Sequence, residues 1–208
     1  MIACPSKSKH KARHYQTPPL FQRNDQFADR AVGQRMTIDN VTYKVAECRE
    51  GREAAFRLLY EAYNRAGLME ANEYEMRVTP YHLLATTDVF VAIHQGEVIC
   101  TLSLIGDGDL GIPMESIYAK EVSQLRDQQI CFGEVSCLAD RREYVADFLP
   151  VFVNLSALVI QHARHNNMDQ LLIVVHPRHE RFYGRLLGFE RIGNERSYPS
   201  VCDKPAVA

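Results

Sequence analysis

Residues 174–193 read VVHPRHERFYGRLLGFERIG. They close a continuous apolar run, DQLLIVVH (169–176), of the length and β-branched content of a strand covered on both faces. Pro177 then opens a short helix, PRHERFYGRLLG (177–188), because its fixed φ suits a first turn. Gly188 ends that helix, and Phe189 packs back beneath it into a final strand expected over FERIGNERSY (189–198).

Upstream, the pattern alternates between sheet and helix. TIDNVTYKVAEC (37–48) alternates and is rich in β-branched residues, so it is expected as one strand. REGREAAFRLLYEAYNRAG (49–67) places Ala55, Leu58, Leu59 and Ala62 on one helical face and stops at Gly67. LMEANEYEMRVTPYHLL (68–84) has neither period and carries Pro80, which suits a structured loop or lid. DVFVAIHQGEVICTLSLIGDG (88–108) is a hairpin about His94–Glu97. MESIYAKEVSQLRDQ (114–128) has helical spacing, QICFGEVSCLA (129–139) is a strand, and residues 140–167 become a long apolar helix with Pro150 in its first turn. The order implies an α/β or α+β chain, one mixed sheet flanked by helices.

The 208 residues, 46% hydrophobic and 24% charged, suit one globular domain. A net charge of −2 gives no reason to expect a nucleic-acid partner. No apolar run reaches the length of a membrane span, and the N-terminus lacks an apolar signal core, so a cytoplasmic location is expected. Six scattered cysteines form no C-x-x-C pair, and no His cluster has zinc-finger spacing, so reduced thiols and no metal site are expected. Residues 1–36 are set apart as a basic arm, in which seven Lys and Arg face two Asp, and 37–208 as the domain. The arm is expected to be a solvated tail, or an electrostatic arm for an acidic partner.

Within the strand, FGEVSCL (132–138) poses a physical problem. A carboxylate, Glu134, sits in an apolar run, where burial is costly unless it is paired or used. Strict alternation puts Phe132, Glu134 and Ser136 on one face, and Gly133, Val135 and Cys137 on the other.

VVHPRHERFYGRLLGFERIG resembles the end of the GCN5-related N-acetyltransferase fold, with Phe182, Tyr183, Leu187, Gly188 and Phe189 carrying the likeness. Such enzymes hold the coenzyme A pyrophosphate in a glycine-rich turn before their long helix. Here that place reads LADRREYVADFLP (138–150), with no glycine to let the backbone approach a pyrophosphate. The donor expected instead is a phosphopantetheine thioester on an acyl carrier protein, with no cofactor bound to the enzyme itself. GEVS is similar to the E-x-S-R strand motif of acyl-homoserine-lactone synthases, with Cys137 in place of the arginine. RLLYEAYNRAGLM, EYEMRVTPYHLL, FGEVSCLADRR and HPRHERFYGRLLGFE together resemble the long-chain N-acyl amino acid synthases over most of residues 37–208. That family moves a long acyl chain from acyl carrier protein to the amine of an amino acid, and some members use tyrosine.

The resemblance gives residues roles. An amino acid arrives as an ammonium, and a glutamate in an apolar strand is a base tuned toward neutrality, so Glu134 is expected to deprotonate it. The plain alternative is a structural carboxylate paired with an Arg or a backbone N–H. Ser136 orients Glu134, bonds substrate, or serves only its neighbours. The backbone from Val135 through Cys137 to Leu138 presents an N–H to the thioester oxygen. Cys137 as a covalent nucleophile is disfavoured, since alternation turns it away from Glu134. Tyr183 protonates the leaving sulfur or is a core tyrosine. Arg77 is expected to clamp the acceptor carboxylate, with Arg65 the alternative. Leu104, Phe148, Phe152, Leu155, Leu158 and Val159 line an acyl tunnel or form ordinary core. Arg141, Arg142 and Arg178, with Arg181 and Arg185, are expected to dock the acidic carrier, while His176 and His179 are carrier contacts or plain helix-start residues. Rival readings are an acyl-homoserine-lactone-type synthase, a coenzyme A-dependent acetyltransferase, and a non-catalytic acyl-carrier- or lipid-binding module.

Overall fold

The computed structural model describes residues 35–141 and 148–208. The basic arm up to residue 34, and Arg142, lie outside the described residues.

One mixed sheet runs in the order β1 (Arg35–Ile38), β2 (Val41–Val45), β3 (Thr87–His94), β4 (Glu97–Gly106), β5 (Phe132–Asp140) and β6 (Gln170–Leu172). All neighbours are antiparallel except β5 and β6. The single strand expected over 37–48 is two. Asp39 and Asn40 take φ of 49° and 62°, which the Asx side chains tolerate, and they turn the chain back as a hairpin. Alternation continues on both sides of a two-residue turn, so periodicity alone hides it. The hairpin also recruits Arg35 and Met36, assigned to the arm, which pair with Lys44 and Tyr43.

Helices cover both faces of the sheet. α3 (Phe148–His165) buries Phe152, Leu155, Leu158 and Val159 against Tyr43, Phe90, Leu102 and Leu104. On the other face, α1 (Arg49–Arg65) packs Phe56, Leu58 and Leu59 on Val89 and Val91. α2 (Glu115–Asp127) packs Tyr118 and Val122 beside Ile105 and Phe132. Among the described residues no helix is long and apolar enough to cross a membrane.

The last elements depart most from expectation. β6 ladders over only three residues, and beyond Leu172 the chain leaves β5. α4 (Glu180–Leu187) follows a 3-10 turn at Pro177–His179 and ends at Gly188 with φ 75°, as its sequence predicts. The strand expected over 189–198 shrinks to β7 (Arg196–Tyr198), which pairs with β8 (Lys204–Ala206) in a separate two-stranded sheet. The cause is local. Ile192 and Gly193 donate to the Ala208 oxygen at 2.9 and 3.2 Å, and a Cβ on Gly193 would lie 2.4 Å from the Tyr118 ring. Arg196 then fastens β7 to α2, stacking on Tyr118 at 4.4 Å and bonding Glu121 Oε1 at 2.5 Å and the Ile117 oxygen.

Candidate active site

The divergence of β5 and β6 creates the site. The two strands pair from Phe132–Gln170 to Glu134–Leu172 and no further, so among the described residues the backbone of 135–138 has no strand partner on that side. A cleft of about 1660 Å³ opens there. Its polar wall comes from Tyr63, Arg77, Tyr81, Ser116 and Tyr198; its apolar wall comes from α3, through Phe152, Ala157, Val159 and Ile160.

Glu134 lies on the cleft wall yet is only 1% exposed. Its Oε2 accepts from the Met114 N–H at 2.7 Å. Burial pushes the carboxyl up to about 8, against the opposing pull of the Met114 N–H and the Ser136 hydroxyl. A carboxyl so placed holds a proton well above the usual carboxylate range and is poised to exchange it near neutrality.

Ser136 stands opposite Ser103 in the β4–β5 ladder, on the face shared with Glu134. Behind Ser103 lies His82, 1% exposed. Its Nδ1 accepts the Thr79 N–H at 3.0 Å, which fixes Nε2 as the donor to Ser103 Oγ at 3.2 Å. Burial and the Arg77 and Arg52 charges lower this imidazole to about 4, so it is neutral across physiological pH. His82 and Ser103 were not identified from the sequence. TPYH (79–82) has the spacing of a reciprocal cap, which the structure forms, and that spacing was a legible signal.

Cys137 corrects the alternation. The β4–β5 register slips between Thr101 and Ser103, and Cys137 takes φ 57°, the signature of a bulge. The extra residue turns the Cys137 side chain to the α1 face, packed in the cluster with Phe56 and Leu59, rather than away from Glu134. It lines the cleft, and burial pushes its thiol up. Val135 and Leu138 face the opposite cluster, against α3, and also line the cleft.

Arg77 reaches the cleft from the 68–84 loop. Its guanidinium lies over Tyr63 at 4.5 Å, and Nη2 donates to the Ser200 oxygen at 3.0 Å. Its Nε is buried with no hydrogen-bond partner among the described residues. A half-buried guanidinium with a spare donor suits a carboxylate ligand. Arg65, the alternative, is exposed and does not line the cleft.

Tyr183 lines the cleft within an aromatic cluster, 6.0 Å from Phe152 and 6.3 Å from Phe189. Burial pushes its hydroxyl up to about 12, so it keeps its proton. Of the six apolar tunnel candidates, Phe152 and Val159 line the cleft, while Leu104, Leu155 and Leu158 are core between the sheet and α3 and Phe148 stacks on Phe152 at 5.5 Å. Arg178 lines the cleft and is exposed, with Nε bonded to His179 Nε2 at 3.0 Å. Arg141 is not with it. Its Nε donates to the Val98 oxygen at 3.1 Å and its Nη1 lies 4.0 Å from Glu97, at the β3–β4 hairpin end.

Comparisons with known proteins bear on the family and the fold. The family described as N-acyl amino acid synthase FeeM matches residues 54–208. The solved structure of FeeM, an N-acyl amino acid synthase from uncultured soil microbes, is 26% identical, with a TM-score of 0.70 over 80% of this chain and 87% of its own. The AHL synthase LasI shares the fold at a TM-score of 0.60, with 13% identity over 80% of this chain and 87% of its own. An acyl-CoA N-acyltransferase from Pseudomonas aeruginosa shares it at 0.52, with 14% identity over 80% and 95% of the two chains. No curated protein sequence matches the chain. The fold is the acetyltransferase-like one expected, and the chemistry is acyl transfer to an amine. The chain belongs to the FeeM family of N-acyl amino acid synthases.

Proposed function

We propose that the chain moves a long-chain acyl group from acyl carrier protein to the α-amine of an amino acid, with tyrosine the first acceptor to try. The observation that carries this reading is Glu134, a buried carboxyl raised to about 8 on the wall of a cleft whose other wall is apolar. In the reaction, ionised Glu134 takes a proton from the acceptor ammonium, directly or through water. The freed amine attacks the thioester carbonyl, and the C–N bond forms. A backbone N–H of residues 135–138 receives the developing oxyanion. The attacking nitrogen gives up its second proton to water; collapse then expels the phosphopantetheine sulfur, which takes its proton from Tyr183. Solvent returns a proton to the phenolate and accepts the one held by Glu134.

Ser136 orients Glu134, Arg77 takes the acceptor carboxylate, and the fatty chain runs along Phe152, Ala157 and Val159 of α3. The carrier protein is favoured over coenzyme A as donor because residues 138–150 hold no glycine to cradle a pyrophosphate. In this reading Arg178, exposed at the cleft, is a better dock for an acidic carrier than Arg141, which lies at the β3–β4 hairpin end.

The test is mass spectrometry of lipid extracts from cells overexpressing the protein, wild type beside Glu134→Gln. New N-acyl amino acids in wild type only support the whole reading and name the acceptor. Equal amounts in both remove Glu134 as base. Acyl-homoserine lactones, formed when S-adenosylmethionine is supplied, would instead establish the rival synthase. No new lipid in either leaves a binding module.

A further inference from the structure

We infer that Arg126 is a positioning residue for Glu134, acting through the loop that delivers the Met114 N–H. The inference rests on the reading of Glu134 as the base. Arg126 stands in the last turn of α2 and grips both ends of the 107–115 loop. Nε and Nη2 meet Asp107 at 2.8 and 2.7 Å; Nη1 and Nη2 meet Glu115 at 2.5 and 2.7 Å. Two carboxylates, each held by two N–H groups, use the planar fork in a way no ammonium reproduces.

The loop needs such a clamp. α2 breaks at Tyr118 (φ −123°, ψ 36°), so its first turn is not held in line by the rest of the helix. That first turn follows directly from Met114, which is fully buried and whose N–H bonds Glu134. Gly111, at φ 65°, leaves room for the pair: a Cβ there would lie 2.2 Å from Glu115 Oε2 and 3.1 Å from Arg126 Nη2. The ion pairs are partly exposed, so their worth in stability is small. Their worth in geometry is the aim of one N–H.

That N–H favours ionised Glu134, so loosening it raises the midpoint of the carboxyl. Among the described residues the other titratable groups near Glu134 are Tyr81 from a 3-10 turn at Pro80–Leu83, Tyr198 from β7 and Cys137 on its own strand, all held above their ordinary values. Around neutrality Glu134 titrates before any of them.

The experiment follows the side-chain carboxyl ¹³C signal of Glu134 against pH, in full-length protein labelled at glutamate and assigned by its loss in Glu134→Gln. Arg126→Gln is expected to raise the midpoint by about one unit, and Arg126→Lys to restore only part of the shift. Gly111→Ala, which crowds the same clamp while keeping Arg126 itself, is expected to shift it in the same direction and stands in if Arg126→Gln fails to fold. An unchanged midpoint in a folded variant of either site overturns the inference, even if its thermal midpoint drops. The base reading is judged separately: normal turnover by Glu134→Gln would end it, while the titration would still decide what Arg126 does.

Discussion

Arg77 and Ser200 are 123 residues apart in sequence and 3.0 Å apart across the cleft, Nη2 donating to the backbone oxygen. The contact ties the loop before β3 to the C-terminal hairpin and leaves the Arg77 Nε buried, with no hydrogen-bond partner among the described residues. An acceptor carboxylate offers that donor the partner it lacks. Arg77→Gln should therefore raise KM for the amino acid by roughly tenfold to a hundredfold, the worth of a charge-assisted hydrogen bond, with a smaller change in kcat. The same steady-state assay with tyramine, which lacks the carboxylate, should show wild type and variant nearly alike. A variant that loses equally with both acceptors would make Arg77 a strap only.

Glu134 sets a pH dependence of stability with a definite sign. Its folded value, about 8, lies above its ordinary value of 4.5. The folded state therefore holds a proton that the unfolded state releases, and stability falls as pH rises through that window. Glu134→Gln cannot ionise and should escape this loss. Denaturant titrations should show the variant gaining on wild type between pH 5 and pH 9, by a few kcal/mol at most. A difference independent of pH would mean that Glu134 is ionised throughout.

These predictions rest on features that were legible to different degrees in the sequence. The helices over 49–65, 115–127 and 180–187 follow from spacing and from Gly188, because one helix face makes its pattern locally. Glu134 stood out because a carboxylate in FGEVSCL needs an explanation wherever it lies. Its Met114 partner did not, since an N–H twenty residues away leaves no mark on the local pattern. Cys137 was turned to the wrong face because one bulge, caused by register against β4, reverses alternation from that point on. The last strand is not legible in FERIGNERSY, because β7 pairs with residues 204–206 and is fixed by Tyr118 and Arg196 rather than by FERIGN itself.

His82 joins the 79–83 turn to the sheet beneath Ser136, and it does so as a neutral ring. His82→Phe fills similar space but leaves the Thr79 N–H and Ser103 Oγ without their partner. It should cost about 2–4 kcal/mol by calorimetry, the penalty for orphaning a buried hydroxyl and a partly buried N–H. With its value lowered from 6.5 to about 4, the ring contributes stability that is present above 6.5 and is lost as pH falls toward 4. The deficit of the variant should therefore shrink in acid. A constant deficit from pH 7 to pH 4 would show that packing, not the neutral donor and acceptor pair, is what His82 supplies.

Ala157 and Leu158 are adjacent on α3 and separate the cleft from the core. Ala157 lines the cleft, whereas Leu158 packs with Tyr43, Phe90 and Leu102 on the sheet side. Periodicity could not tell a tunnel wall from a core face, because both are apolar stripes on one helix. Their variants should separate cleanly. Ala157→Phe puts a ring into the space proposed for the fatty chain. Each methylene kept off the apolar wall forfeits ~0.8 kcal/mol, about fourfold in affinity. The product profile should shift toward chains shorter by roughly two to four carbons, read by mass spectrometry with mixed acyl-carrier donors. Leu158→Ala should cost about 2–5 kcal/mol of stability and leave the chain-length profile where it was. An unchanged profile in Ala157→Phe would move the fatty chain off α3, to another wall of the same cleft.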